Sequence, residues 1–195
     1  MRRFSGGAEA EIFETEIFGK GAVVKVRCEK KYRIRELDVS IRRTRTRREA
    51  KLLHKARMGG VLVPRVIALG KFSIYMEKLS GTPLKDTKIP EKGYGEIGRL
   101  LARMHNAGIV HGDFTPANIM VCGDDFYVID FGLAEDSRSS EERAIDLLLM
   151  KRSVGRGHYK FFESAYAREA DGSKETLARL SEVELRGRYQ IRTLT

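Results

Sequence analysis

The sequence predicts an α+β fold built from two lobes, and three observations carry this prediction. Residues 1–76 contain short β-prone segments around one long helical pattern. Residues 77–84 are polar and include Gly and Pro, which is typical of a connection between lobes. Residues 85–195 are dominated by helical periodicity. We therefore expect an N-terminal lobe over 1–76, a hinge over 77–84 and a mainly helical C-terminal lobe over 85–195.

Four strands and one helix are expected in the N-terminal lobe. Segments 11–18 and 22–27 are rich in β-prone residues and flank a Gly-Lys-Gly turn, which indicates a hairpin. Apolar residues then recur at helical spacing over 37–58, where a Gly-Gly pair follows. Two further short strands are expected over 61–69 and 71–76, separated by a glycine.

The C-terminal lobe is expected to hold four helices and one hairpin. Helical spacing of apolar residues over 94–104 ends before a glycine at 108. Residues 119–129 form two β-prone runs around Gly-Asp-Asp, which predicts a hairpin. A capping box opens a helix at Ser139, and two more helices are expected over 158–170 and 173–185, the last stopping at an Arg-Gly pair.

Charge is the least ordinary part of the composition. The 195 residues carry a formal net charge of +10, and 33% of them are charged, above the usual share of about 25%. Such an excess of cations favours a polyanionic partner such as nucleic acid or an acidic protein surface. A well-solvated basic surface is the alternative interpretation.

Several classes of protein are disfavoured by the sequence. No apolar run approaches the ~20 residues of a membrane span, and the basic N-terminus lacks the apolar segment of a secretory signal. Cys28 and Cys122 are isolated, so neither a disulfide framework nor a cysteine metal site is expected. We expect a cytoplasmic protein with no membrane association.

Two motifs carry the chemistry. Residues 111–118 read His-Gly-Asp-Phe-Thr-Pro-Ala-Asn, and 128–132 read Val-Ile-Asp-Phe-Gly. Asp113 can accept or orient the proton of a substrate hydroxyl, while Asn118 and Asp130 can hold Mg²⁺ against ATP phosphates. A hairpin between the motifs would bring Asn118 beside Asp130. The alternative is that these are ordinary turn residues.

A lysine and a glutamate in the N-terminal lobe suit the phosphates of the nucleotide. Lys25 stands inside the apolar run Val-Val-Lys-Val, where its charge can pair the α- and β-phosphates. Glu49, on the predicted long helix, is the candidate anion that holds Lys25 when nucleotide is absent. A solvated strand lysine and an Arg-paired surface glutamate are the alternatives.

A partial glycine-rich segment precedes these strands. Gly6, Gly7, Ala8 and Glu9 lie 16–19 positions ahead of Lys25, and backbone N–H groups there can wrap phosphates because glycine permits close approach. The segment lacks a glycine at its far end, so a plain N-terminal extension is the alternative. In the hinge, Glu77 and Leu79 are further candidate nucleotide contacts.

Four further segments are distinctive: Gly-Gly-Ala-Glu-Ala at 6–10, Lys-Lys-Tyr-Arg at 30–33, Arg-Thr-Arg-Arg-Glu-Ala at 45–50 and Leu-Arg-Gly-Arg at 185–188. Together with the motifs above, they resemble the PRPK-type atypical Ser/Thr kinases. Members of that family are the small kinase subunit of the KEOPS (EKC) complex. The resemblance implies a two-lobed protein-kinase-like fold with a reduced C-terminal lobe, which binds ATP and Mg²⁺. It also implies kinase or autokinase activity, ATPase activity within the complex, and the roles given above to Lys25, Glu49, Asp113, Asn118 and Asp130.

The same resemblance implies partners. They are the threonylcarbamoyl-transferase subunit, which makes threonylcarbamoyl-adenosine in tRNA, another small KEOPS subunit, and tRNA itself. The tail 186–195 carries Arg186, Arg188 and Arg192 around a tyrosine, and such a segment can reach tRNA phosphates or its own active site. A solvated tail is the alternative. The arginine-rich run 42–48 crowds like charge on one helix, which costs stability unless an anionic group relieves it, and a solvated helix face supported by Glu36 and Asp38 is the alternative there.

Departures from ordinary protein kinases limit the expected activity. Gly112 stands where an Arg usually precedes the catalytic Asp, and Thr115 replaces a usual phosphate-contacting Lys. Only 63 residues follow Gly132, without an Ala-Pro-Glu motif. We therefore expect poor phosphorylation of free proteins, with a partner completing the site and ATP serving hydrolysis.

Two residues are expected to support the catalytic loop. His111 opens that loop, and Asp146 lies in an apolar helix segment, where an unpaired carboxylate would be costly. Asp146 is therefore expected to accept hydrogen bonds from backbone N–H groups of the loop, with a solvent-facing Asp as the alternative.

Two rival functions remain from the sequence alone. A phosphotransferase of the aminoglycoside or choline type shares the His-Gly-Asp loop and the Asp-Phe-Gly-like strand end. It usually needs a larger helical insertion, for which this chain has no room. A scaffold subunit that binds nucleotide without turnover is the other rival, although every expected catalytic side chain is present.

Overall fold

The computed structural model describes the backbone of residues 2–6 and 9–192 and the side chains of residues 9–186. Its strands and helices alternate as a sheet-rich half followed by a helix-rich half. The strands are β1 (Arg2–Gly6), β2 (Ala10–Ile17), β3 (Lys20–Arg27), β4 (Val66–Leu69), β5 (Ser73–Glu77), β6 (Thr82–Pro83), β7 (Ile109–Val110), β8 (Ile119–Cys122), β9 (Asp125–Val128) and β10 (Glu135–Asp136). The helices are α1 (Arg35–Met58), α2 (Glu91–Asn106), α3 (Ser140–Ser153), α4 (Arg156–Glu169) and α5 (Ser173–Arg192).

The first half is an antiparallel sheet with one long helix. Its five strands run in the order β1-β2-β3-β5-β4, so β3 lies in the centre. In that position Lys25 of β3 is paired with Ile74 of β5 on one side and with Ile12 of β2 on the other. Helix α1 presents its apolar residues, among them Leu52, Leu53 and Ala56, to the buried core.

The second half packs four helices beneath two small sheets. Helix α2 lies against α4 and α3 lies against α5. The α2–α4 approach is close because a Cβ on Gly98 would stand 2.2 Å from the carbonyl oxygen of Phe162. Strands β8 and β9 form the expected hairpin, and β6 joins them from the connection between the halves. Within the described residues, no helix is both long enough and apolar enough to cross a bilayer.

Strand β1 was not predicted from the sequence. Gly6, a candidate phosphate-binding residue, ends strand β1 and is paired with Glu11 of β2. Gly7 and Ala8 lie outside the described residues. A five-residue polar strand has no apolar alternation to announce it, and only the neighbouring β2 supplies its hydrogen-bond partners.

Two other boundaries were predicted wrongly. The strand expected over 61–69 is confined to Val66–Leu69, because Pro64 lacks a backbone N–H and cannot continue a ladder. Helix α5 does not stop at Arg186-Gly187 but runs to Arg192, so the expected tail is largely helical. One glycine in a helix costs only about 1 kcal/mol, which does not by itself end the helix.

Candidate nucleotide and metal site

Lys25 is the centre of the candidate site. Its Nζ donates hydrogen bonds to Oε1 of Glu49 on α1, at 2.6 Å, and to Oδ1 of Asp130 after β9, at 2.7 Å. Lys25 is 8% exposed and Glu49 is 2% exposed, so the pair is shielded from water. The structure therefore contains the Lys25–Glu49 pair that the sequence predicted, and it adds Asp130 as a second anion.

The charges of this cluster stabilise one another. Burial alone would lower the pKa of Lys25, but the carboxylates of Glu49 and Asp130 outweigh it and raise that pKa above its ordinary value. Burial alone would raise the pKa of Asp130, and the nearby Lys25 ammonium outweighs it and lowers that pKa. Both groups are therefore charged at neutral pH, as phosphate pairing and metal binding require.

The catalytic-loop motif folds into a short turn that fixes Asp113 and Asn118 together. The Asn118 side-chain amide donates from Nδ2 to Oδ2 of Asp113, at 2.8 Å, and to the Asp113 carbonyl, at 2.9 Å. Since Nδ2 is used in this way, Asn118 Oδ1 is left as an acceptor. The backbone N–H of Ile129 donates to the carbonyl of Asn118, at 2.9 Å, so the hairpin brings Asn118 close to Asp130.

Asp130 has the exposure and the geometry of a metal-binding carboxylate. Its side chain is 51% exposed, in contrast to the buried Lys25 that it contacts. Its backbone is left-handed (φ 59°), and its Oδ1 accepts a hydrogen bond from the N–H of Gly132 at 3.1 Å. Mg²⁺ is commonly bound by one or two protein oxygens together with substrate phosphates. The oxygens of Asp130 and Asn118 fit that donor set.

His111 joins the two motifs through both ring nitrogens. The backbone N–H of Asp113 donates to Nδ1, at 3.3 Å, and Nε2 lies 3.0 Å from the carbonyl oxygen of Ile129. Because Nδ1 accepts a hydrogen bond, the ring proton is assigned to Nε2, which donates to Ile129. The neutral tautomer therefore ties the loop that carries Asp113 to the strand end that carries Asp130.

Asp146 of helix α3 binds the backbone of the loop that carries Asp113. It is fully buried, and its carboxylate accepts hydrogen bonds from the backbone N–H of His111, at 2.7 Å, and of Gly112, at 2.8 Å. These are the backbone bonds that the sequence led us to expect. A third contact of Asp146 was not predicted: His105 Nε2 lies 3.1 Å from Oδ2 of Asp146.

We expect the buried His105 to make the folded chain less stable in mild acid. Burial lowers the pKa of His105 below the ordinary 6.5, although the nearby Asp146 carboxylate opposes this shift. Tyr166 and Arg143 are the other polar neighbours of His105. Below about pH 6.5 the unfolded chain takes up a proton that the folded chain refuses. We expect the free energy of unfolding to fall by up to about 1.4 kcal/mol per pH unit.

Urea unfolding between about pH 7.5 and 5.5 measures this effect. The His105→Gln variant keeps a donor toward Asp146 and should flatten the slope, whereas His54→Gln, at an exposed position, should leave it unchanged. An unaltered slope in His105→Gln would contradict the assignment.

The backbone conformation before Asp113 requires a glycine. Gly112 has φ 76°, in the left-handed region, and a Cβ placed there would stand 2.8 Å from the carbonyl oxygen of Leu133. An arginine could not occupy this position without moving the segment after Asp130. The departure from ordinary kinases is therefore built into the local conformation.

Among the described bonds, the other predicted nucleotide contacts make no hydrogen bond to Lys25, Asp113, Asn118 or Asp130. Glu9 is bound through both carboxylate oxygens to Arg45 on α1, at 2.8 and 2.9 Å. Glu77 accepts a hydrogen bond from the N–H of Arg65, and Leu79 is partly buried between β5 and β6. Their contacts with nucleotide remain predictions.

The arginine-rich run on α1 is largely paired within the chain. Arg42 contacts Asp38, Arg45 contacts Glu9, and Arg48 contacts Glu135 of β10. Lys55, further along α1, binds Asp136 at 2.9 Å. The contacts of Arg48 and Lys55 join α1 to the segment that follows Asp130, so these cations serve the fold as well as facing solvent.

Of the tail residues, Arg186 donates to Oε1 of Glu141 at 3.0 Å. Arg188 and Arg192 belong to helix α5, and their side chains lie outside the described part of the structure. A role in binding tRNA remains a prediction for all three.

The chain is similar in sequence to a known family of proteins. A model of the RIO domain family matches residues 18–170. The chain is 38% identical to the KEOPS complex subunit Bud32 of Pyrococcus abyssi, covering 99% of this chain and 98% of that relative. It is 42% identical to the EKC/KEOPS complex subunit BUD32 of Encephalitozoon cuniculi, covering 85% of this chain and 87% of that relative.

The chain is also similar to part of a longer relative and to a solved kinase structure. The chain is 40% identical to a "Probable bifunctional tRNA threonylcarbamoyladenosine biosynthesis protein" of Methanosarcina acetivorans, which it matches over 96% of its own length but only 35% of the relative. The Rio2 kinase of Chaetomium thermophilum, solved with ADP and Mg²⁺, has a similar fold, with a TM-score of 0.67 at 20% identity over 92% of this chain and 64% of the other. The predicted α+β kinase-like fold is thus confirmed, and the chain belongs to the Bud32 family of RIO-domain atypical kinases.

Proposed function

We propose that this chain is an ATP-dependent phosphotransferase with ATPase activity. The observation that carries the proposal is the position of Lys25 between Glu49 and Asp130, which lie 24 and 105 positions away from it in the sequence. A buried ammonium beside an exposed carboxylate suits a phosphate chain with its metal ion. The relative in Archaeoglobus fulgidus, 37% identical over 97% of this chain, is named a probable serine/threonine-protein kinase BUD32 homolog, which supports the same activity.

Each residue has a task in this proposal. Lys25 binds the α- and β-phosphates, and Glu49 orients it. Asn118 Oδ1 and Asp130 would hold Mg²⁺, which supplies positive charge that offsets the charge of the phosphates. Backbone groups around Gly6, Gly7, Ala8 and Glu9, and the connection at Glu77 and Leu79, would contact the nucleotide.

Asp113 is the proposed catalytic residue. Its Oδ2 is fixed by Asn118, so Oδ1 remains to accept the proton of an attacking hydroxyl or water. His111 and Asp146 hold the backbone of this loop, which keeps Asp113 in place without their touching the substrate.

We further propose that the activity serves the threonylcarbamoyl-adenosine modification of tRNA within a KEOPS complex. The names of the Pyrococcus and Methanosarcina relatives support this assignment. The proposed partners are a threonylcarbamoyl-transferase, another small subunit and tRNA, and the Methanosarcina relative, which is named as a bifunctional protein of this biosynthesis, supports the first of them. The charge of +10 suits a complex that acts on nucleic acid. A cytoplasmic location follows from this proposal.

The testing experiment measures ATP turnover by the purified chain alone, with the transferase partner, and with partner plus tRNA. The proposal expects turnover that rises when partner and tRNA are present. Phosphate transfer to small aminoglycoside or choline-type alcohols would favour the small-molecule enzyme instead. Nucleotide binding without turnover under all three conditions would favour a scaffold subunit.

Deleting residues 186–195 should weaken coupling to tRNA more than binding of nucleotide. The deletion removes three arginines, and each lost phosphate contact should reduce the salt dependence of tRNA affinity. Stimulation of ATPase activity by tRNA, measured at several salt concentrations, checks this. Because Arg186 also binds Glu141, the variant Arg186→Gln in the full chain separates helix docking from tRNA contact. Equal stimulation with and without the tail would rule out the tail as a tRNA contact.

A further inference from the structure

A second buried cation lies beside Lys25 on the same face of β3. Arg27 is two positions after Lys25, so the two side chains leave the strand on one side. Arg27 is 5% exposed, and its Nη2 donates to Oε2 of Glu49 at 2.5 Å. Arg27 was not among the predicted site residues, although the period of two along a strand places it on the same face as Lys25.

Glu49 is therefore held from both sides. Its Oε1 accepts from Lys25, and its Oε2 accepts from Arg27. The two cations differ in their other contacts, since Lys25 also binds Asp130, whereas Arg27 has no contact with the catalytic loop among the described bonds. Arg27 thus holds one oxygen of the Glu49 carboxylate while Lys25 holds the other.

This arrangement matters once Asp130 is engaged elsewhere. The proposed function gives Asp130 to the metal ion, which would compete with Lys25 for the Asp130 carboxylate. Glu49 becomes the main anion that orients the ammonium, and Glu49 is itself oriented by Arg27. A guanidinium presents its donors in a rigid planar fork, which a flexible ammonium cannot match.

Arg27 also reaches the candidate phosphate-binding segment. Its Nη1 lies 3.7 Å from Oε2 of Glu9, whose carboxylate is in turn bound by Arg45 of α1. Glu9 directly follows Gly7 and Ala8 in the sequence. One row of alternating charges therefore runs from Asp130 through Lys25, Glu49 and Arg27 to Glu9.

We propose that Arg27 is a positioning residue of the ATP site, which holds Glu49 so that Lys25 keeps its place against the phosphates when Asp130 turns to the metal. This inference rests on the proposed function and deepens it, because it adds a residue to the site that neither motif contains.

The first test is the kinetics of Arg27→Met, which keeps the length and the apolar stem but removes the charged fork. A misaligned Lys25 still attracts phosphates, so the KM for MgATP should change by less than about threefold. Alignment in the transition state should suffer, and kcat should fall by about ten- to a hundredfold. An unchanged kcat in the folded variant would overturn the proposal.

A double-mutant comparison shows whether Arg27 acts through Glu49. If it does, the double variant Arg27→Met/Glu49→Gln should have the same kcat as Glu49→Gln alone, because Arg27 has no carboxylate left to orient once Glu49 is replaced. Two fully multiplicative losses would mean that Arg27 affects turnover in some other way, and would overturn the assignment to Glu49.

Arg42→Met is the matched control. Arg42 stands on α1, is bound to the buried Asp38, and makes no contact with Glu49 among the described bonds. It should lower stability while leaving kcat within about twofold of the parent. An equal fall of kcat in this control would show that loss of stability, rather than positioning, explains the effect.

Arg27→Lys covers the case in which Arg27→Met does not fold. It keeps the charge but offers a single point of contact, so kcat should fall by about three- to tenfold with KM little changed. A kcat equal to that of the parent would overturn the proposal. If the parent chain itself shows no ATP turnover with partner and tRNA, the proposed function fails instead, and the two failures are thereby distinguished.

Discussion

Replacing Asp130 by Asn should reduce ATP turnover at least about a thousandfold, a loss of about 4 kcal/mol of transition-state stabilisation. The carboxylate is the exposed anion of the site, and an amide offers a metal ion one neutral oxygen in its place. Asn tolerates the left-handed backbone at φ 59°, whereas Ala would add strain to the loss of charge. Turnover is measured with partner and tRNA present.

The fold should survive this change because Lys25 keeps its bond to Glu49. Thermal unfolding of the variant should therefore stay close to that of the parent. Asp136→Asn is the matched control, since Asp136 is an exposed carboxylate six positions along the same segment and is bound to Lys55 rather than to the site. Turnover in Asp130→Asn within tenfold of the parent would remove Asp130 from the catalytic assignment.

Replacing Asp146 by Asn should lower the free energy of unfolding by about 2–4 kcal/mol. The two carboxylate oxygens accept from the N–H groups of His111 and Gly112 and from the ring of His105. An amide can accept through only one of those positions, and its own NH₂ would face a buried N–H at the other. Urea unfolding measures the loss.

Turnover should fall in the same variant, because the backbone that carries Asp113 loses one of its two fixed points. Asp86→Asn, at an exposed position of the same half of the chain, is the control and should change stability by less than about 0.5 kcal/mol. A change below that limit in Asp146→Asn would show that these buried hydrogen bonds contribute little.

Local chemistry explains the parts of the fold that were predicted well. The β8–β9 hairpin follows from two β-prone runs around Gly-Asp-Asp, and Gly123 takes the left-handed conformation there (φ 64°). The start of α3 follows from Ser139, whose side chain accepts from the N–H of Glu142. Both features depend on residues within ten positions of each other.

Other features were not predicted because a partner outside the segment decides the outcome. Strand β1 is stabilised by pairing with β2 rather than by its own composition. The contacts of Arg27 with Glu49 and of His105 with Asp146 join residues 22 and 41 positions apart. No periodicity within a single segment can reveal such pairs, because each side chain alone reads as an ordinary polar residue.

The sequence by itself determined which groups could handle a nucleotide, since an Asp, an Asn and a second Asp at these spacings, with a lysine inside an apolar strand, have few other uses. It also determined the family, through motifs spread along the whole chain. Only the tertiary structure decided how those groups meet: Lys25 stands between two anions, one buried and one exposed, and Arg27 locks the buried one. The physical reason is that charges removed from water must find partners, and those partners are supplied by the fold rather than by neighbours in the chain.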